Sequence, residues 1–358
     1  MAFLAGYTTR KKLTIDQTKV DANLTDFPVL VKLTSSNFDF AKANADGFDI
    51  RFTSSDGTTL LKYERLRHDS ANSLAEYWVK VPAVSGSVDT EIYMYYRTED
   101  TADGADPTNV WDSYYKAVYH LNGSYGTGAG EVKDSTGNAL HGTCVDAPTQ
   151  ATGQVSKCQD FNGSADYITL GDLAFAYNEN SSIEVIASTD GIGGTNYRTI
   201  FEGIASGENI YPSLYHTTDN SLSIASFANK NPIIITAANF TTGTFFHFAI
   251  TYDYKSSGPI LTDTYVYANG VQTDSTLDDS HGTTNATSHR IGNDATVGTR
   301  YWDGKLEELR ISKGIARSAA WIKASYNTCW NTLLTYGPEQ TGFQPRQGFV
   351  NFQDPGIV

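Results

Sequence analysis

Residues 301–312 read YWDGKLEELRIS, which sets two adjacent carboxylates and a guanidinium inside a run patterned like a β-strand. Successive strand side chains point to opposite faces. On that alternation Glu307, Leu309 and Ile311 share one face, and Leu306, Glu308 and Arg310 share the other. Each face then carries a carboxylate, and one of them is expected to meet a buried sheet surface. A carboxylate there must be paired, bind a cation or titrate for a purpose. Arg310, two residues from Glu308 on the same face, is a ready partner for it.

Other chemistries find less to work with. There is no Gly-x-Ser-x-Gly elbow, and the seven histidines are scattered. His247, within FFHFA, is expected to be a packed strand residue and not a base. No Cys/His cluster has zinc spacing. Gly191–Gly194 lacks the Lys-Ser/Thr of a phosphate loop. Three cysteines make no disulfide framework. Cys144 and Cys158 could face each other across neighbouring strands, but reduced, packed thiols are expected.

The elements that must position these residues are strands. Aromatic residues are abundant (Tyr 22, Phe 17, Trp 5), only 18% of the 358 residues are charged, and long helical patterns are hard to find. Short β-branched and aromatic runs punctuated by Asn, Asp and Gly recur throughout, an all-β composition. The length suggests two domains. A net charge of −14 repels a phosphate backbone, and only Arg10-Lys11-Lys12 clusters basic charge, so nucleic-acid binding is excluded. Met1–Leu13 lacks the pattern of a secretory leader, and no segment approaches the ~20 apolar residues of a membrane span.

Strands are expected over 11–15, 28–34, 48–55, 76–84 and 90–98, with an acidic loop at 98–109 marking a domain edge. FDIRF and YWVKV alternate apolar and polar residues, so each should bury one face and solvate the other. Later strand signals include 181–188, 245–253 and 264–268. The 245–252 run suits a strand covered on both faces, and Asn269-Gly270 is a strong hairpin signal. Residues 318–328 predict a short helix with Ser318 as N-cap and Trp321 as anchor. The last stretch, 337–358, has three prolines and isolated Phe343, Phe349 and Phe352, and is expected to be an extended arm docked on another surface.

Within the first third, Phe27-Pro28-Val29-Leu30-Val31, Gly47-Phe48-Asp49-Ile50-Arg51-Phe52, Glu76-Tyr77-Trp78-Val79, Ile92-Tyr93-Met94-Tyr95-Tyr96 and Val110-Trp111-Asp112-Ser113-Tyr114 occur in order. This segment resembles an uncharacterised domain family of bacterial and phage proteins that often precedes a laminin-G-like lectin domain. From about 117 to 330 the chain resembles the concanavalin A-like jelly roll of the laminin-G-like lectin family. The layout implied is a β-sandwich over 1–116, a jelly roll over 117–336 and the arm over 337–358.

That resemblance raises catalysis, because the laminarinase-like branch of this fold sets Glu-x-Asp-x-Glu carboxylates on one strand face. No glutamate here has Asp two positions later, and Glu307 and Glu308, being adjacent, should point apart. Relatives of the jelly roll often hold a structural cation near the loop matching Asp134 and Asn138, which flank the flexible Gly137. A Ca2+ site of Asp134, Asn138 and Glu308 is therefore implied, with pairing to Arg310 as the equal alternative for Glu308. Asp100, Asp103 and Asp106 form a second acidic group, expected to be a solvated turn. Sugar recognition would use loop aromatics, for which Tyr197, Tyr211, Tyr215, Tyr301 and Trp302 are candidates. Together these features suggest a non-enzymatic component on the exterior of a bacteriophage particle, assembled in the host cytoplasm. Its arm would contact other virion proteins or copies of itself, and its jelly roll would bind host-surface polysaccharide. The alternatives are a secreted or cell-surface bacterial adhesin, second a glycoside hydrolase, and third a purely structural assembly role in which the lectin-like fold serves as a spacer.

Overall fold

A computed structural model describes residues 2–97, 102–174, 176, 178–191, 198–205, 208–216, 222–225, 233–235, 241–257, 260–280, 285–294 and 298–342. The N-terminal strands are β1 (Thr9–Ile15), β2 (Leu24–Thr34), β3 (Arg51–Ser54), β4 (Tyr63–Asp69), β5 (Leu74–Val84) and β6 (Thr90–Tyr95). Next come β7 (Tyr115–Tyr119), β8 (Thr143–Val145), β9 (Thr149–Thr152), β10 (Lys157–Asn162) and β11 (Tyr167–Leu170). They are followed by β12 (Ser181–Thr189), β13 (Arg198–Ala205), β14 (Glu208–His216), β15 (Leu222–Ala225) and β16 (Ile233–Ile235). The remaining strands are β17 (Phe246–Ser257), β18 (Ile260–Ala268), β19 (Val271–Ser280), β20 (Ser288–Ile291) and β21 (Asp303–Lys313). Helix α1 (Ala319–Cys329) and strand β22 (Leu334–Thr341) complete the described chain.

Among the described residues all strand pairs are antiparallel, in two pairs of sheets. The N-terminal domain stacks a sheet of order β22-β1-β6-β3 against one of order β2-β5-β4. The jelly roll stacks a sheet of order β19-β18-β17-β12-β21-β10-β9, with β7 also on β21, against one of order β16-β15-β14-β13-β20-β11-β8. Local sequence explains several joints. Asn269 and Gly270 have φ of +50° and +76°, the pair of left-handed residues that a tight hairpin between β18 and β19 demands. Ser318 accepts a hydrogen bond from the Trp321 amide and so starts α1, whose Trp321 ring is buried against Phe27 at 4.9 Å.

Three expectations give way. The segment expected to begin a separate arm instead supplies β22, which pairs with β1 from Ile15↔Leu334 to Thr9↔Thr341 and completes the N-terminal sheet. The jelly roll is therefore held between two strands of the same N-terminal sheet. Strand β4 was not anticipated, because YERLRHD lacks an apolar alternation. On β5, the expected solvated face is covered: Glu76, Tyr77, Trp78 and Val79 are all fully buried. Its second face lies against the jelly roll, and one apolar cluster runs from Leu30 and Trp78 through α1 to Val155 of the β9–β10 turn and to Ile186 and Ala249 of the larger jelly-roll sheet. A second cluster, containing Phe161, Val185, Phe248 and Trp302, fills the jelly roll itself. Cys144 on β8 and Cys158 on β10 lie in different sheets, and both are buried free thiols.

Candidate functional site

Strand β21 changes partners along one edge, pairing with β10 at residues 303–306 and with β7 at residues 309–312. At that change the strand bulges. Against β12, Glu307 faces Ile186 and Arg310 faces Glu184, so two residues of β21 oppose the single Val185. Glu308 has φ of +53°, a left-handed conformation that a non-glycine residue adopts at a cost. The extra residue shifts the alternation. Leu306, Leu309 and Ile311 all enter the jelly-roll core, and Glu307, Glu308 and Arg310 all lie toward the N-terminal domain. The expected division, with one carboxylate on each face, does not hold.

Glu307 accepts from the backbone amides of Gln154, Val155 (3.0 Å) and Ser156 (3.5 Å) in the β9–β10 turn. A Cβ at Gly153 would collide with this carboxylate, so glycine is needed there. Burial, and then the neighbouring Glu308, push the Glu307 pKa up to about 8. Glu308 accepts from His120 Nδ1 at 2.8 Å and from Arg310 Nη2 at 2.8 Å. His120 Nε2 reaches Glu64 of β4 at 3.2 Å, and Glu64 also accepts from Trp111 Nε1 at 3.0 Å and Ser135 Oγ at 2.8 Å. The Arg310 guanidinium lies 4.2 Å from the Trp78 ring. Charges alternate along this row from Glu64 through His120 and Glu308 to Arg310, linking the two domains. Burial opposes the charge on His120, yet Glu308 and Glu64 outweigh it and hold the imidazole up to about 10. Both ring nitrogens are then donors. Glu308 is also penalised by burial, but His120 and Arg310 keep it below the ordinary carboxylate range.

Above the Glu64–His120 pair opens a cleft of about 630 Å³ lined by β4 on one side and the segments 122–125 and 131–135 on the other. Of its lining residues, Glu64, His120 and Ser135 belong to the row just described, and Arg65 and Leu66 follow Glu64 on β4. Sequence reasoning found Glu308 and Arg310 but missed Glu64 and His120. The only available sign was that each stands beside strand-forming residues, which is too common to notice.

Each of the proposed metal ligands is engaged by other partners. Asp134 gives its oxygens to the amides of Val118, Thr136 and Leu140 and to the Thr136 hydroxyl, at 2.9–3.0 Å. The Asn138 amide donates to the carbonyls of Tyr115 and Lys116. With Glu308 held by His120 and Arg310, the three residues form turn and ion-pair contacts and do not fit a Ca2+ coordination set. Among the described residues, no group of three or more His, Cys, Asp or Glu is disposed to hold a metal ion. Asp103 and Asp106 pair with Arg65 and Lys62, and Asp100 lies outside the described residues.

Of the sugar-binding candidates, Trp302 is fully buried in the jelly-roll core and is withdrawn from any surface. Tyr301, its neighbour, is partly exposed, 6.3 Å from the Tyr167 ring, over which Arg290 lies at 4.7 Å. Tyr167 was not singled out from sequence. Tyr211 and Tyr215 are on strand β14 and not on a loop; their side chains, the whole of Tyr197, and Phe343, Phe349 and Phe352 lie outside the described residues. His247 is packed as expected, with Nε2 3.3 Å from Glu184.

Residues 162–323 match the Concanavalin A-like lectin/glucanases superfamily. Residues 46–125 match a second family, Domain of unknown function (DUF2341). A search of curated proteins finds no match. Similar solved structures include domain 4 of AbnA, a GH43 extracellular arabinanase from Geobacillus stearothermophilus, in complex with arabinotriose. It is 20% identical with a TM-score of 0.41, covering 58% of this chain and 96% of that one. The binding domain of Paraclostridial Mosquitocidal Protein 1 is 15% identical with a TM-score of 0.46, covering 60% of this chain and 52% of that one. The botulinum neurotoxin type G receptor binding domain is 16% identical with a TM-score of 0.46, covering 60% and 51%. This chain spans about half the length of those two toxin domains.

Proposed function

We propose that this all-β protein, whose jelly roll is lectin-like, binds surface glycan without cleaving it. The observation that carries the reading is the use made of the β21 carboxylates. Glu307 is given to three turn amides and Glu308 to His120 and Arg310, and both are at most 2% exposed. A glycosidase pair needs one carboxyl group to donate a proton and a second to reach the sugar. Here Glu307 instead holds the β9–β10 turn, and Glu308 reaches the N-terminal domain through His120 and Glu64. Partly exposed rings beside a guanidinium, as at Tyr167, Tyr301 and Arg290, are the kind of surface on which pyranose faces stack.

The setting we propose is the exterior of a bacteriophage particle, with residues 343–358 contacting other virion proteins or further copies of the chain. The resemblance of the N-terminal domain to a family of bacterial and phage proteins supports it, as do three buried free thiols suited to assembly in a reducing cytoplasm. The test is a glycan panel assayed for both retention and release of reducing sugar. Retention without release is expected, and turnover on any glycan overturns the reading. Immunogold labelling of purified particles tests the setting, and label confined to bacterial surfaces refutes it.

A further inference from the structure

We propose that the cleft at the domain seam is a saccharide-binding site that both domains build. This rests on the glycan-binding reading above and states where the ligand sits. At about 630 Å³ the cleft has the size of a small-molecule site, and such sites gather at domain interfaces. Its floor is rigid before any ligand arrives. Glu64 and His120 are 8% and 5% exposed and are fixed by Trp111, Ser135 and Glu308. Binding therefore needs little reordering of the floor.

The chemistry of the walls selects the ligand class. Charges offset across the cleft, with Glu64 and Glu131 against His120 and Lys133, in a chain whose net charge is −14. Arg65 is already bidentate to Asp103 at 2.7 and 2.8 Å, so it offers no fork to a phosphate or carboxylate. An apolar ligand would meet one aromatic ring, Tyr125, among polar groups. That ring is seated by close packing on Gly123, where a Cβ would collide with it. One fixed ring surrounded by amide, hydroxyl, ammonium and carboxylate groups of both hydrogen-bonding senses complements a neutral, hydroxyl-rich pyranose.

The test uses the full chain on a glycan array, followed by calorimetric titration with the free form of the best-retained saccharide. Asn122→Trp fills the cleft, Lys133→Ala removes an exposed rim donor, and Val88→Ala alters an exposed residue that does not line the cleft. Asn122→Trp should weaken binding by about tenfold or more, Lys133→Ala should weaken it less, and Val88→Ala should leave it unchanged. Melting midpoints verify folding, and should Asn122→Trp not fold, the exposed Lys133→Ala decides alone. Wild-type binding retained in the seam variants overturns the cleft and leaves glycan binding standing. An array on which the wild type retains no saccharide overturns the glycan-binding reading itself.

Discussion

His120 gives one ring nitrogen to each domain, and its charge neutralises neither carboxylate alone. Removing it as His120→Leu leaves Glu64 and Glu308 buried with one cation fewer, and should cost about 3–5 kcal/mol, measured by urea unfolding. The same residues set an unusual dependence on pH. Unfolded, His120 loses its proton near its ordinary value of 6.5, whereas in the fold it keeps it to about 10. Its stabilisation is full below 6.5 and is lost as pH rises through about 10. Glu307, ordinarily near 4.5 and here about 8, has the same sign, full below 4.5 and lost as pH rises through about 8. Glu308, held below its ordinary value, contributes above about 4.5 and loses that contribution in more acid solution. The melting midpoint should therefore peak at about pH 5–6 and fall toward pH 10. Glu307→Gln keeps an oxygen for the Gln154 and Val155 amides and should flatten the fall between about pH 5 and 8. A midpoint that rises across that interval contradicts the assignment.

The bulge in β21 and the return of β22 decide which elements meet. A left-handed glutamate costs of order 1–3 kcal/mol, which the His120 and Arg310 bonds to Glu308 offset. Without the bulge, Glu307 would fall out of phase with Glu308 and Arg310. At the other joint, Tyr336 of β22 reaches across to β2, where its hydroxyl accepts from the Lys32 amide at 3.0 Å and donates to the Lys32 carbonyl at 2.9 Å. The edge of β2 is thereby satisfied by a residue 304 positions away. Tyr336→Phe leaves the Lys32 amide unpaired, while its carbonyl keeps the Asn37 side-chain amide at 3.0 Å, and should cost about 1–3 kcal/mol, seen as a lower denaturation midpoint with unchanged slope. Most strands and α1 with its Ser318 cap were legible in sequence, because their signals are local. The bulge was not, since strand phase depends on which neighbours pair on either side.

Taken whole, the molecule is two sandwiches joined by a shared apolar cluster and the charged row beneath the cleft. The β1–β22 pairing makes the N-terminal sheet depend on residues on both sides of the jelly roll. Because Asp134, Asn138 and Glu308 are engaged with amides, carbonyls and ion pairs, a chelator should leave the melting midpoint where it was. A fall on adding EDTA would place a stabilising cation elsewhere in the fold.

Alternating apolar residues, turn glycines and an aromatic composition were enough to determine an all-β chain, because each acts over a few residues, and the order of its parts followed from the resemblance of its segments to known families. The sequence also singled out Glu308 and Arg310, since a carboxylate and a guanidinium on one strand face must answer to burial. Tertiary structure alone decided that Glu64 and His120 complete the row, that Trp302 turns inward while Tyr301 stays partly exposed, and that β22 goes home to β1. Those outcomes rest on contacts between residues far apart in the chain, where register and packing, and not local preference, set the lowest free energy.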